Sequence, residues 1–128
     1  MSTQDDIDDF NRRLIAALDA QDVNGVLDCY TEDGALLAPG GPAVVGREAL
    51  GQWWKTFFDN GFRSAEMTTD RIVEDQPALV VELGSYRMEL TGPDGQPIRD
   101  EGKYSIVYRR GPDDRLRYAV DSLSSSLA

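Results

Sequence analysis

Histidine is missing from the 128 residues, and the only cysteine is Cys29. Their scarcity removes the usual general base, the usual zinc ligand and every Ser-His or Cys-His nucleophile pair, so proton chemistry falls to carboxylates, tyrosines or lysines. Asp121 is the first candidate. It follows Ala119 and Val120 in the last β-type stretch and shares strand parity with Ala119 and Leu123. Partial desolvation on that face raises a carboxyl pKa toward neutrality, which suits acid-base work. The competing reading is an ion pair with Arg87, Lys103 or Arg117. Glu82 is the second candidate, on one strand face with Tyr86 and Met88, while Val81, Leu83, Ser85 and Arg87 take the other. It reads as a pocket group with Tyr104 as hydrogen-bond partner, or as a group at a subunit contact. Tyr30, Tyr86 and Tyr104 each offer a phenol to a ligand carbonyl or to a backbone carbonyl.

Trp53, Trp54, Phe57 and Phe58 read first as core, with Trp54 and Phe58 at the edge that can line a cavity for a flat or hydrophobic ligand. Asp100 and Glu101 before Gly102 read as a solvated turn. No metal site and no cofactor is expected, since Gly40-Gly41 is not followed by the lysine and helix of a phosphate-binding loop. Thirteen basic against 23 acidic residues give a formal charge of -10, a field that repels nucleic acid and anionic lipid, so neither is an expected partner. No basic-then-apolar segment precedes Ile7, and no apolar run reaches the ~20 residues that cross a bilayer. A cytoplasmic protein with a reduced, buried Cys29 is the expectation.

The elements that must position these groups follow from periodicity. Residues 1–128 are expected to form one domain. A cap at Thr3, acids Asp5 and Asp6, and Ile7, Phe10, Leu14 and Leu18 at helical spacing predict a first helix. Asp22 can cap a second, with Val23, Val26, Leu27 and Tyr30 on one face and its end before a Glu32-Asp33-Gly34 turn. A short strand is expected over Ala35 to Ala38, then a Pro39-Gly40-Gly41-Pro42 loop. After Gly46 comes a third helix carrying Leu50, Trp53, Trp54, Phe57 and Phe58. Four β-type stretches at about 64–74, 78–90, 101–110 and 115–125 imply an antiparallel meander. The predicted class is α+β, three N-terminal helices packed on a curved mixed or antiparallel sheet.

That order, with Ala16-Ala17-Leu18-Asp19-Ala20-Gln21-Asp22, Tyr30-Thr31-Glu32-Asp33-Gly34 and Gly46-Arg47-Glu48-Ala49-Leu50, resembles the NTF2-like superfamily, which includes ketosteroid isomerase and the SnoaL-type cyclases. Glu82-Leu83-Gly84-Ser85-Tyr86, Gly102-Lys103-Tyr104 and Tyr118-Ala119-Val120-Asp121-Ser122 resemble its SgcJ/DUF4440-like branch. The resemblance implies an NTF2-like cone, a pocket between sheet and helices, and a homodimer through the outer sheet face. Carried over residue by residue, it puts Leu14 where the isomerase has its oxyanion tyrosine and Ala38 where it has its base, and places the neutral aspartic acid near Tyr104. The steroid isomerase mechanism is therefore disfavoured.

Three functions remain open. One is a cofactor-free isomerase, cyclase or hydratase acting on a small hydrophobic carbonyl compound, with Asp121, Glu82 and Tyr104 as catalytic groups. Tyr30, Trp54, Phe58, Tyr86, Met88, Ala119 and Leu123 then hold the ligand. The others are non-catalytic binding of a hydrophobic ligand and a homodimeric association module.

Overall fold

The computed structural model describes residues 2–125. The first helix, α1 (Thr3–Asp19), is capped by Ser2 rather than Thr3, because Ser2 and Asp5 exchange side-chain and backbone hydrogen bonds in a capping box. The second, α2 (Val23–Leu27), starts as expected from Asp22, whose carboxylate accepts from the Gly25 amide at 3.1 Å.

Beyond α2 the local expectation is corrected. Tyr30 leaves the helix to open β1 (Tyr30–Leu37), and Glu32-Asp33-Gly34 lie within that strand rather than in a turn. A Cβ at Gly34 would stand 3.0 Å from the Tyr118 carbonyl oxygen, so this glycine permits a close approach of two backbones where a turn was expected. Cys29 sits in the connection, outside the helix, and is buried all the same.

The two-residue β2 (Val44–Val45) precedes α3 (Arg47–Asp59), the expected third helix, which buries Leu50, Trp54 and Phe58 and half-buries Trp53 and Phe57. The meander follows as β3 (Phe62–Asp75), β4 (Leu79–Thr91), β5 (Pro97–Arg110) and β6 (Leu116–Ser125). Here β5 begins at Pro97, a position that needs no ladder donor, so Asp100 and Glu101 are strand residues rather than a solvated turn.

The six strands form one mixed sheet in the order β2-β1-β6-β5-β4-β3, with β1 parallel to β6 and the other pairs antiparallel. Although β1 and β3 lie toward opposite edges of the sheet, α3 packs against both. The sheet therefore curls around it, and the α+β cone expected from the sequence is the observed architecture. Phe10 of α1 meets Tyr108 edge-on at 5.1 Å and Tyr118 at 4.5 Å on the concave face, with Ile7 and Leu14 buried in the same core. Full burial of an apolar side chain such as Phe10 is worth about 1.5–3 kcal/mol.

Parity fails at one point on β6. Val107 pairs with Val120 but Tyr108 pairs with Tyr118, which leaves Ala119 as the extra residue of a bulge. Tyr118 and Asp121, three apart, consequently share the concave face, and Ala119 drops out of the ligand-lining face expected for it.

Candidate functional site

Asp121 lies on the concave face beside Leu36 of β1 and opposite Ile106 of β5. Only 4% of it is exposed, and its Oδ2 accepts a 2.8 Å hydrogen bond from the Tyr30 hydroxyl. Burial pushes its pKa up to about 6, and the Tyr30 hydrogen bond opposes the rise. Burial first, then the adjacent carboxylate, pushes the Tyr30 phenol well above its ordinary value, so Tyr30 remains the donor. The ion-pair alternative does not apply to Asp121. Arg87 pairs with Glu66 and Glu101, Arg117 pairs with Asp113, and Lys103 shares strand parity with Arg87 and Ser105 on the opposite face.

Glu82 is completely buried on the same face. Its Oε2 accepts from Tyr104 at 2.8 Å and Thr69 at 2.6 Å, and its Oε1 accepts from Tyr108 at 2.7 Å. The Tyr104 partnership agrees with the sequence reading. Burial, followed by the Glu82 charge, raises the pKa of both phenols. Ile106 pairs with Glu82 on one side and Asp121 on the other, so two buried carboxyl groups flank one residue, their strands about 10 Å apart.

Sequence reasoning missed Tyr108, Thr69 and Asp100. Tyr108 was within reach of the pattern, because it shares strand parity with Tyr104. Thr69 was not, because the β3–β4 register shifts three times. Asp100 was hidden by the late start assigned to β5; it accepts from Tyr86 at 3.0 Å and from Ser125 at 2.6 Å. Burial is the main cause that pushes the Tyr86 phenol up to about 12. Each of the three candidate tyrosines thus donates to a carboxylate, and Tyr104 additionally stands 3.3 Å from the Thr68 carbonyl oxygen.

Trp54 and Phe58 are buried with ring centroids 5.8 Å apart, and Met88 and Leu123 are half-buried against the core. Trp54 Nε1 has no acceptor at hydrogen-bonding geometry, although its N–H dipole bears on Tyr30 and favours the phenolate there. Leu14 and Ala38, the positions matched to isomerase chemistry, are apolar side chains of the core and its margin.

The expected ligand-lining residues do not gather in one hollow. Tyr30 contributes to an open groove of about 1080 Å³ walled by Arg13, Arg47, Asp113 and Arg117. Tyr104 and Leu123 border one of about 420 Å³ together with Leu83 and Lys103, and Tyr86 borders one of about 430 Å³ with Arg87 and Glu101. Among the described residues no three His, Cys, Asp or Glu side chains form a metal-ligating group, and no helix is long and apolar enough to cross a membrane.

Comparison with known proteins bears on this arrangement. A family model described as the SnoaL-like domain matches residues 11–118. The search of curated proteins gives no match. Among solved structures, a ketosteroid isomerase-like protein from Erwinia carotovora atroseptica SCRI1043 is 18% identical over 95% of each chain, with a TM-score of 0.81. A proposed dehydratase of the NTF2-like family from Streptomyces avermitilis is 15% identical over 99% of this chain and 100% of its own, with a TM-score of 0.77. An NTF2-like superfamily protein from Salmonella enterica serovar Typhimurium LT2 is 16% identical over 95% and 89%, also at 0.77. At these identities the likeness extends to the fold.

Proposed function

The chain belongs to the SnoaL-like domain family, and from that premise we propose that it binds a small hydrophobic carbonyl compound on the concave face and moves a proton on it through Asp121. The observation that carries this reading is a carboxyl group 4% exposed, with a pKa of about 6, whose protein hydrogen bond comes from a phenol rather than a cation. Such a group takes a proton from the carbon beside a carbonyl, becomes the neutral acid, and returns the proton to the resulting enolate at the same or a conjugated carbon. That step is common to isomerase, cyclase and hydratase readings. Glu82 positions the Tyr104 phenol on the same face, and Tyr30, Trp54, Phe58, Met88 and Leu123 make the apolar surround. Tyr86, held by Asp100, lies toward the rim.

The test uses α-tetralone in deuterated buffer, with exchange of its α-hydrogens followed by NMR. The protein is expected to accelerate exchange over buffer, with a rate that rises through a pH of about 6 as Asp121 ionises. Asp121→Asn is expected to exchange at the buffer rate while binding, read from tryptophan fluorescence, persists. Equal exchange in the two proteins overturns the reading. A second reading, non-catalytic retention of an apolar ligand, needs no tuned carboxylate and rests on the half-buried Met88 and Leu123 beside the aromatic core. It expects α-tetralone to bind without exchange.

A homodimer through the outer sheet face is part of the proposal, supported by Val73 and Leu83, which are 52% and 41% exposed.

A further inference from the structure

The groove of about 1080 Å³ beside Tyr30 gathers Arg13, Arg47, Arg115 and Arg117, four of the 13 cationic side chains in a chain of formal charge -10. Cations therefore collect here against the field of the whole molecule. Two of the four are committed. Arg47 pairs with Asp28 at 3.2 Å, and Arg117 uses all three nitrogens, two on Asp113 at 2.8 and 2.7 Å and Nε on the Asp28 carbonyl oxygen at 3.2 Å. Arg13 differs. Its side chain is 23% exposed, and its guanidinium lies 5.4 Å from the centre of the Phe10 ring. Nη2 donates to the Leu116 carbonyl oxygen at 3.3 Å. Nε is wholly buried without an acceptor, the Asp9 carboxylate 3.4 Å away supplying charge but no hydrogen-bond geometry. Nη1 has no partner among the described residues and is not one of their wholly buried unpartnered atoms, so it keeps an open side.

We propose that this groove, independently of the Asp121 reading, binds a small organic monocarboxylate, with Arg13 as the cation that receives it. A guanidinium carries a planar fork of N–H donors that a carboxylate matches, and Arg13 has a single hydrogen bond, to a neutral carbonyl. The acids on the same walls do not cancel this cation. Asp28 and Asp113 are the partners of Arg47 and Arg117, and the Asp22 carboxylate is held by the Gly25 amide at the start of α2. That leaves the exposed Glu32 against Arg13 and Arg115, whose guanidinium has no ion pair among the described residues. One negative charge is accommodated on that balance and a second is repelled, which favours a carboxylate over a phosphate dianion. Ala16, Ala17 and Pro112 add apolar wall for the body of the ligand.

Amide NMR titration at pH 7 with sodium benzoate, benzamide and sodium phosphate tests this. Benzoate is expected to bind at least about fivefold more tightly than neutral benzamide or phosphate, and to shift the amides of Ala17, Gly25 and Thr31 on the groove walls. Arg13→Gln, which keeps a polar side chain and removes the cation, is expected to weaken benzoate by about fivefold or more while changing benzamide by less than about twofold. A measurement on the unmodified chain guards against a variant that does not fold: benzoate affinity should fall by about threefold or more between about 50 and 500 mM salt, and benzamide affinity should not. Equal affinity for benzoate and benzamide, benzoate binding indifferent to salt or to Arg13→Gln, shifts confined to the concave face around Met88 and Leu123, or no binding of benzoate at about 10 mM overturns the proposal. Phosphate bound as tightly as benzoate overturns the monocarboxylate assignment.

Discussion

Asp121 is the residue at which the fold gives up stability. Its folded pKa of about 6 lies above the ordinary 3.8, so the folded chain binds the proton more tightly than the unfolded chain does. The folded state is accordingly favoured where the acid is neutral, below about pH 4, and that advantage is lost as pH rises through 6, by about 3 kcal/mol at neutrality. Asp121→Asn keeps an oxygen for the Tyr30 hydroxyl and removes the charge. Urea unfolding is expected to find it more stable than the parent by about 1–3 kcal/mol at pH 7, with the difference gone at pH 4. An unchanged midpoint at pH 7 would show that Asp121 is not a desolvated carboxylate. The sequence placed Asp121 and Leu123 on the correct face by counting in twos, and the same count failed for Ala119 because a bulge leaves no mark in residue types.

At the scale of elements, the polar floor of the cone depends on a glycine in the middle of β4. A Cβ on Gly84 would stand 2.1 Å from Tyr104 Cζ and 2.3 Å from its hydroxyl oxygen, so the tyrosine of β5 lies across its neighbour's bare backbone to reach Glu82. Gly84→Ala must displace that ring and strip one donor from a buried carboxylate. Overpacking and a lost charged hydrogen bond together are expected to cost about 2–5 kcal/mol, measured by urea unfolding. A loss within about 0.5 kcal/mol would mean that Tyr104 relocates freely and that the Glu82 cluster is not rigid. The Gly84 spacing was visible in the sequence as part of a landmark string, but its cause was not, since it lies on the neighbouring strand. The long helices and the four long strands were readable because periodicities of 3.6 and 2 persist over ten residues or more. The α2–β1 boundary was not readable, because Tyr30 fits a helical stripe and a strand interior equally well. Its burial against Tyr118, edge-on at 5.4 Å, is a contact across the sheet that local spacing does not encode.

For the whole molecule, the outer sheet face stands in contrast to the concave one, which packs against the helices. Val81, Val107 and Val120 form one cross-strand row there, and Leu83, Ser105 and Ser122 form the next. Val81, Val107 and Val120 are half-buried in the single chain while Leu83 is exposed, which leaves this row as the apolar surface the proposed homodimer would use. Two bodies that each carry a formal charge of -10 repel at a distance, so association must come from apolar contact and short hydrogen bonds. Ordinary surface ion pairing would weaken with salt, but this dimer should tighten as salt screens the repulsion. Sedimentation equilibrium at tens of micromolar chain is expected to give a dimer whose dissociation constant falls between 50 and 500 mM salt, and Leu83→Lys is expected to raise that constant by about tenfold or more. Because Leu83 points away from Glu82 and Asp121, the same substitution should leave α-tetralone exchange intact. A chain that stays monomeric at every concentration would show that the outer face is simply solvated. The ligand site would then have to be complete within one subunit, as the Tyr30–Asp121 and Glu82 clusters already are.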